Sequence, residues 1–226
     1  MLDKNFILAI KILNKKKIDY WICHGTLLGL VRDKRLIEWD NDIDIGVLKS
    51  SKNRRIIKTL FEKKGFKKQK KYFKDDGLMT FKRKGGREVD INFYEPLKKS
   101  NFEEKMIITE WYVPKNLICK LIDAISNSNN YDGKFKIIIK KFSFFENIFQ
   151  DVRNYLSKRN LFYKKQGYAH PIRFIKKKKI LSFGKLKLMI PKEAEKYLEH
   201  IYGRDWKKPK KDYVWYNDSP SLETKL

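Results

Sequence analysis

The sequence has few cysteines, no long apolar run and no internal repeat, and each absence excludes a class of protein. Cys23 and Cys119 are the two cysteines among 226 residues, too few for a disulfide framework or a cysteine-rich metal centre. No segment approaches the roughly 18 uninterrupted apolar residues of a transmembrane helix. The first residues also lack the basic and then apolar pattern of a signal peptide. These absences predict a cytoplasmic globular protein.

Acidic residues are scarce as well: 27 Asp and Glu stand against 53 Lys and Arg, which gives a net charge of +26. Such a charge favours polyanionic partners, namely anionic membranes, phosphorylated substrates or, as the less favoured choice, nucleic acid. The lysines are scattered, however, and isoleucine, asparagine and phenylalanine are abundant too, which is the pattern of compositional drift in an AT-rich genome. The sequence leaves both explanations open: drift, and peripheral attraction to an anionic membrane.

Hydrophobic residues make up 42% and aromatic residues 14% of the chain, which is typical of a globular protein. Their spacing predicts an α/β (α+β) protein, with a mixed sheet flanked by helices. Helical periods cover residues 3–16 and 51–64, and Asp3 is a plausible cap for the first of them. Strand-like segments cover residues 18–23, 66–73, 78–84 and 88–94.

The second half of the chain is less regular. Residues 117–125 and 134–164 are predicted to be helical, and the aromatic residues of the second segment suit either a membrane-surface helix or, as we prefer, a packed core. Gly184–Ile190 alternates as a strand, and Pro191 is predicted to open a helix that ends before Gly203. We expect a catalytic core over residues 1–100. Residues 101–226 should form a mostly helical portion, with an aromatic C-terminal extension, that completes the same domain.

The strongest chemical signal lies in residues 24–47, with the sequence HGTLLGLVRDKRLIEWDNDIDIGV. Asp42 and Asp44 alternate with apolar residues, so a strand would place both carboxylates on one face, about 6.5 Å apart along the strand. Two adjacent carboxylates repel each other unless a cation lies between them. Mg²⁺ commonly takes one or two carboxylates together with substrate phosphates. The pair therefore indicates a metal-dependent site for phosphate chemistry; the alternative is an acidic face on an exposed strand.

The residues before the acid pair favour the metal-dependent site. Gly25 lets the backbone approach a phosphate closely. Thr26 is predicted to cap a helix that reaches about Arg32 and whose first amides favour an anion. Arg32 would grip a phosphate with a bidentate fork, unless it is an ordinary surface arginine.

Three residues near this segment, His24, Trp39 and Asp40, each have one or two candidate roles. His24 either touches the substrate or is a hydrogen-bonded structural histidine. Trp39 either stacks on a base or sugar or anchors the packing before the strand. Asp40 is predicted to orient the metal ligands without binding the metal itself.

The segment GTLLGLVR followed by WDNDID resembles the LicD/fukutin family of the nucleotidyltransferase superfamily. The family pattern is roughly Gly-Thr/Ser-Leu-Leu-Gly, an Arg, an Ile/Pro-Trp segment and then Asp-Asp-Asp-x-Asp. Asn41 stands where a further Asp is common, which leaves the acid pair intact, and Glu38 stands where Pro is common, which affects only the loop shape. A second block is similar to the family's closing block: Ile190-Pro191, then Tyr202-Gly203-Arg204-Asp205-Trp206, then Pro209.

This resemblance implies a nucleotidyltransferase fold with a third acid on the strand beside Asp42 and Asp44. Asp90, which interrupts an apolar strand, fits that position, and Glu88 on the same strand face is the alternative. A carboxylate within an apolar strand is costly without a partner, and a metal bound by Asp42, Asp44 and Asp90 would provide one. The implied cofactor is Mg²⁺, with Mn²⁺ as the alternative.

The resemblance also implies an activity. A phospho-substituent, of phosphocholine or phospho-alditol type, would move from a CDP-linked donor to a hydroxyl of a glycan or glycolipid, and CMP would leave. The substrate-binding residues would be His24, Gly25, Thr26, Arg32, Trp39 and Asp40. Two other functions stay open: nucleotidyl transfer to RNA or protein, which the net charge would suit, and nucleotide binding without catalysis.

Overall fold

A computed structural model of the protein describes residues 3–69, 76–97, 105–131, 133–159 and 161–225. Within these ranges the helices are α1 (Lys4–Lys15), α2 (His24–Leu28), α3 (Ser51–Glu62), α4 (Leu117–Ile125), α5 (Lys136–Lys141), α6 (Glu146–Ser157), α7 (Ile172–Lys176), α8 (Ala194–Tyr202) and α9 (Trp215–Asp218). The strands are β1 (Tyr20–Ile22), β2 (Asp42–Leu48), β3 (Lys67–Lys68), β4 (Leu78–Lys82), β5 (Glu88–Pro96), β6 (Met106–Pro114), β7 (Tyr163–Pro171), β8 (Lys178–Phe183), β9 (Leu186–Pro191) and β10 (Leu222–Lys225). A π-helical turn (Gly29–Asp33) continues α2.

Eight of these strands form one mixed sheet. Its order is β1-β2-β5-β6-β7-β10, with β4 beside β5 and β3 beside β4. β2 and β5 are parallel, and the other neighbouring strands are antiparallel. One edge of β5 is shared, because residues 89–92 pair with β4 and the last two residues pair with β6. This mixed sheet, with helices packed on it, confirms the predicted fold class.

The core lies between the sheet and the helices that cover it. Phe6 and Ile10 of α1 and Ile43, Ile45 and Val47 of β2 are fully buried. Burial of one such side chain is worth about 1.5–3 kcal/mol. A slip of β2 by one residue would move its three apolar side chains out of the core and its acids into the core, so packing of the apolar side chains fixes the register of this strand.

α1 begins where the sequence predicts. The Asp3 carboxylate accepts hydrogen bonds from the backbone N–H groups of Asn5 and Phe6, both at 2.9 Å. Two donors of the first helical turn are thereby satisfied, which is worth about 1 kcal/mol. The second carboxylate oxygen accepts from the Arg87 N–H at 2.9 Å, so this cap also holds the turn that precedes β5.

The second half of the chain contains more strand than the sequence predicts. β6, β7 and β10 extend the sheet through residues that we expected to be mostly helical or irregular. The first five residues of β6 are all buried, and a continuous buried run has no period that distinguishes a strand from a helix. β7 includes Lys165 and Gly167, which are unfavourable in strands. Pro191 ends β9 instead of opening a helix, and α8 begins at Ala194.

α4, α5 and α6 lie where helices were predicted, but the core-packing interpretation of the segment 134–164 is wrong. Its large apolar side chains are mostly exposed: Ile137, Ile138, Phe142, Phe144, Phe145, Ile148 and Val152. Ile139 is buried, and it joins Ala124 and Ile125 of α4 in a small core of their own. Among the described residues, no helix has the length and apolar composition needed to cross a membrane.

Candidate active site

Three carboxylates meet near the centre of the sheet. Parallel pairing of β2 with β5 sets Asp44 opposite Asp90, and Asp42 opposite Glu88. Carboxylate oxygens of Asp42, Asp44 and Asp90 all lie within 4.8 Å of one another. Asp90 thus lies beside the acid pair, as the sequence predicts, whereas Glu88 is more exposed and forms an ion pair with Lys82 at 3.4 Å.

Burial and mutual repulsion disfavour negative charge on this cluster. Burial, followed by the charges of Asp42, Asp40 and Asp90, raises the pKa of Asp44 well above its usual value. Burial and the adjacent Asp42 raise the pKa of Asp40 to about 7. The four acids therefore share a small volume in which they cannot all be ionised without a compensating positive charge.

Two neutral side chains among the described residues donate hydrogen bonds to the cluster. The Thr80 hydroxyl donates to Asp90, and the Asn92 side-chain amide donates to Asp44 at 3.4 Å. These two groups orient the carboxylates but add no net positive charge. Three carboxylates this close form a set of hard oxygen ligands, which fits a divalent cation such as Mg²⁺.

Gly25 and Asp40 occupy adjoining space at the edge of the cluster. A Cβ atom on residue 25 would collide with the Asp40 carboxylate and would lie 3.7 Å from Asp44 Oδ2. Glycine therefore leaves room for Asp40 to lie beside the acid pair. Both Gly25 and Asp40 line the cavity that contains the cluster.

Thr26 is not the helix cap that the sequence predicts. α2 begins earlier, at His24, and Cys23 in the capping position makes no side-chain hydrogen bond. Thr26 is buried inside the helix, where its hydroxyl oxygen accepts a hydrogen bond from the Asp44 backbone N–H at 2.8 Å. The cap prediction is therefore wrong, and Thr26 ties α2 to the strand that carries the acid pair.

Arg32 lies in the π-helical turn after α2 and lines the cavity. Its guanidinium forms a bidentate ion pair with Asp33, at 2.7 and 2.8 Å. This contact lowers the pKa of Asp33, and it holds the planar fork of Arg32 in one orientation. Contact between Arg32 and a substrate phosphate stays a prediction.

His24 lies at the cavity wall and has a left-handed backbone, with φ of 46°. Its Nε2 atom lies 2.8 Å from the Tyr94 hydroxyl, and its ring centroid lies 4.9 Å from that of Tyr168. Burial lowers the pKa of His24 to about 4, so the imidazole is neutral at neutral pH. Of its two interpretations, this contact supports the hydrogen-bonded structural histidine, in a residue that also lines the cavity.

Trp39 is 44% exposed, so it is not the packing anchor that was one of its two interpretations. Its ring lines the cavity, and the Lys211 ammonium lies 5.2 Å from the ring centroid. This cation–π contact brings the C-terminal part of the chain against the segment that carries the acids.

The cavity around the acids has a volume of about 470 Å³. Residues 24–44 form one part of its wall, and a second part comes from β6, β7 and the C-terminal tail. This second part contains an aromatic cluster: the Trp111 ring centroid lies 5.2 Å from those of both Tyr168 and Trp215. Sequence reasoning missed all three residues as site residues. The aromatic tail was a signal for Trp215, whereas Trp111 and Tyr168 lie on strands that the sequence did not predict.

Basic residues also line the cavity. Three of them come from the loop between α8 and α9: Lys208, Lys210 and Lys211. Arg153 of α6 is buried at the wall, where its guanidinium lies 3.5 Å from Asp76 and 3.3 Å from Asp123. Lysines and acids on one cavity suit a substrate with phosphate groups, which interact with both metal-binding and basic groups.

Comparison with known proteins agrees with this geometry. Residues 17–120 match the family model described as LicD/FKTN/FKRP, nucleotidyltransferase domain. That segment includes α2, β2 and β5, and with them the three clustered acids. Over these residues the chain is similar to the LicD/fukutin family.

The matched relatives are much longer than the region they share with this chain. Ribitol-5-phosphate transferase FKTN of Homo sapiens is 24% identical over 221 residues, which cover 96% of this chain and 35% of that protein. The protein of the same name from Macaca fascicularis gives the same values. An uncharacterised protein of Rickettsia prowazekii is 50% identical over 38 residues, 17% of this chain and 14% of that protein.

Solved structures give a weaker likeness. The solution structure of antibiotic-resistance factor ANT(2'')-Ia aligns with a TM-score of 0.33 and 14% identity, covering 70% of this chain and 92% of that chain. A crystal structure of ANT(2")-Ia in complex with adenylyl-2"-tobramycin has a TM-score of 0.32. At these scores the likeness supports no conclusion about the site.

Proposed function

We propose that this chain is a metal-dependent transferase of substituted phosphate groups. It moves a phosphocholine-type or phospho-alditol-type group from a CDP-linked donor to a hydroxyl of a glycan or glycolipid, and CMP leaves. The acid cluster of Asp42, Asp44 and Asp90 inside a cavity lined by aromatic and basic residues carries this proposal. The fukutin relatives, which are named ribitol-5-phosphate transferases, support the choice of substrate class.

Asp42, Asp44 and Asp90 would hold the metal ion, Mg²⁺ or in its place Mn²⁺, because they offer three hard oxygen ligands within 4.8 Å. When bound there, such an ion neutralises the charge that develops on the donor phosphates. Thr26 and Asn92 hold the position of Asp44 through its backbone N–H and its carboxylate. These contacts keep the ligand set in one geometry before the substrate arrives.

The reaction forms one bond and breaks one bond at a single phosphorus atom. The oxygen of the acceptor hydroxyl bonds to the phosphorus of the substituent, and the bond from that phosphorus to the bridging oxygen breaks. CMP leaves with the electron pair of the broken bond. Asp90 either completes the metal site or accepts the proton of the attacking hydroxyl, since its carboxylate lies in the cluster and takes a hydrogen bond from Thr80.

The remaining wall of the cavity would hold the two ends of the donor. Trp39 and the cluster of Trp111, Tyr168 and Trp215 present aromatic faces that suit a cytosine base or a sugar. Arg32 and the three lysines of the α8–α9 loop supply donors for the diphosphate. The cavity volume of about 470 Å³ is in the range of small-molecule sites.

Incubation of the protein with CDP-choline, CDP-ribitol and CDP-glycerol, with Mg²⁺ and a glycan acceptor, tests the proposal. We expect release of CMP from one of these donors, and none from the Asp44→Asn variant. Incorporation of a nucleotide into RNA or protein, without CMP release, would instead establish nucleotidyl transfer, which the net charge of +26 suits. Donor binding without turnover would instead identify the protein as a nucleotide-binding module without catalytic activity.

A further inference from the structure

α4, α5 and α6 expose most of their large apolar side chains. α4 packs against both α5 and α6, so their outer surfaces belong to one region of the protein. The most exposed of these side chains are Leu117 on α4 at 81%, Ile137 on α5 at 79%, and Phe144 in the turn before α6 at 86%. The exposed side chains of residues 117–155 are called the α4–α6 face.

α6 has its apolar stripe on the outside. Ile148, Val152 and Tyr155 have the i, i+4, i+7 spacing of one helix face, and all three are exposed. Glu146 and Arg153 lie on the opposite side of the helix and are buried. An amphipathic helix of a globular protein normally turns its apolar stripe toward the core, so this stripe indicates contact with something other than the protein's own core.

The charge around the α4–α6 face is strongly positive. In the described ranges 115–131 and 133–159, the exposed charged residues are eight lysines and arginines and a single acid, Asp151. Bulky apolar side chains interspersed with lysines are typical of helices that lie in the membrane interface. Each basic residue near an anionic membrane strengthens binding about fivefold.

We propose that the α4–α6 face docks on an anionic lipid membrane, with its apolar side chains among the headgroups and its basic residues on the lipid phosphates. Charge complementarity selects this occupant, because the lipid surface is negative. A second copy of the chain would place the same eight basic residues against one another, since a two-fold interface joins identical surfaces.

Docking in this way brings the cavity close to the membrane. Arg153 of α6 and Asp123 of α4 line the cavity, while the exposed stripe lies on the other side of α6. A helix with its side chains is about 10–12 Å across, so roughly one helix separates the cavity from the lipid. A lipid-linked acceptor in that membrane would then lie near the cavity; this consequence rests on the proposed function, whereas docking does not.

Sedimentation of the protein with lipid vesicles tests the docking. We expect strong binding to vesicles that contain phosphatidylglycerol and weak binding to pure phosphatidylcholine. The triple variant Ile137→Ser, Phe144→Ser and Ile148→Ser should lower the partition coefficient at least tenfold while the melting temperature is retained, because all three side chains are exposed. Ile180→Ser on β8 is the matched control, since that side chain is also exposed, at 60%.

A pair of charge variants separates a local effect from the overall charge. One double variant, Lys140→Glu with Lys141→Glu, changes the α4–α6 face. The other, Lys63→Glu with Lys64→Glu, changes the residues that follow α3. All four lysines are exposed, and the two variants have the same net charge. We expect at least a tenfold loss of binding for the first pair and little change for the second. Equal losses would overturn the proposal in favour of diffuse attraction. The proposal would also be overturned if the triple serine variant bound vesicles normally but lost a dimer that the wild type forms. A second copy of the chain, and not a membrane, would then cover the face.

Discussion

Replacement of Asp44 by asparagine should stabilise the metal-free protein and remove its activity. The substitution keeps the side-chain volume and removes one of the charges that repel one another in the cluster. The neighbouring Asp40 gives only the scale of such effects in this cluster: burial and Asp42 raise its pKa from 3.8 to about 7. At about 1.4 kcal/mol for each tenfold change in acidity, this corresponds to about 4 kcal/mol against the ionised carboxylate.

The substitution recovers only part of this free energy. Burial is the largest cause of the raised pKa of Asp44, and a buried asparagine still needs hydrogen-bond partners. Solvent also screens the repulsion at Asp40, which is partly exposed. We expect a gain of about 1–2 kcal/mol in the free energy of unfolding, which raises Tm by about 2–8 °C in a chain of this length.

The gain should depend on pH in a defined direction. A carboxyl group whose pKa is raised in the folded state stabilises that state at low pH and loses this contribution as the pH rises through the folded pKa. For Asp40 the loss falls between about pH 4 and pH 7. The pKa of Asp44 is raised in the same direction, so the difference in Tm between Asp44→Asn and the wild type should be near zero at pH 4 and should grow as the pH rises above it.

Thermal unfolding in EDTA and then in Mg²⁺ measures these effects. Mg²⁺ should raise the Tm of the wild type and leave that of Asp44→Asn unchanged, because binding to the folded state adds stability. Turnover should fall at least about a hundredfold in Asp44→Asn, and likewise in Asp42→Asn. A lower Tm for Asp44→Asn than for the wild type in EDTA above pH 7 would refute the repulsion, and near-normal turnover with Mg²⁺ would refute the metal assignment.

Four further substitutions test the residues around the acid pair. Asp90→Asn should remove turnover, whereas Glu88→Gln should keep most of it because Glu88 is the more exposed acid; the reverse pattern in a CMP-release assay would transfer the role to Glu88. Arg32→Lys should lower kcat/KM for the donor, since an ammonium cannot replace a planar fork; an unchanged value would make Arg32 a structural residue. Thr26→Val should cost about 1–3 kcal/mol in denaturant unfolding, because the Asp44 N–H loses its acceptor, and an unchanged midpoint would contradict this role for the hydroxyl.

The acid cluster could be predicted from the sequence because it depends on local rules. The alternation of acids and apolar residues in β2 sets which side chains share a face, and burial of the apolar ones fixes the register. Asp90 needed one more step, the family's placement of a third acid on the neighbouring strand, and pairing of Asp44 with Asp90 bears this out. The role of Thr26 was beyond such rules, since its partner, the Asp44 N–H, lies 18 residues away.

The rest of the cavity could not be predicted, because its residues come together only through long-range packing. Trp111 and Tyr168 lie on neighbouring strands far apart in the chain, and Trp215 reaches them from the tail. The exposed helices were misread for a different reason. An apolar stripe such as that of Ile148 and Val152 has the same spacing whether it faces a core or a membrane, so periodicity identifies the helix and not its environment.

The acids of the cavity and the tail residues of its wall come from different parts of the chain. The matched domain, residues 17–120, contains all three clustered acids together with Gly25 and Thr26, and these contact one another closely. The tail lysines and Trp215 lie outside that domain and reach the acid-bearing segment through Trp39 and the aromatic cluster. On the proposed function, residues that would hold the metal and the reacting phosphate could not vary without loss of the reaction, whereas the outer wall could vary and still bind a donor. On the proposed function we therefore expect the head group of the donor to be selected by the part of the wall that Trp215 and the tail lysines supply.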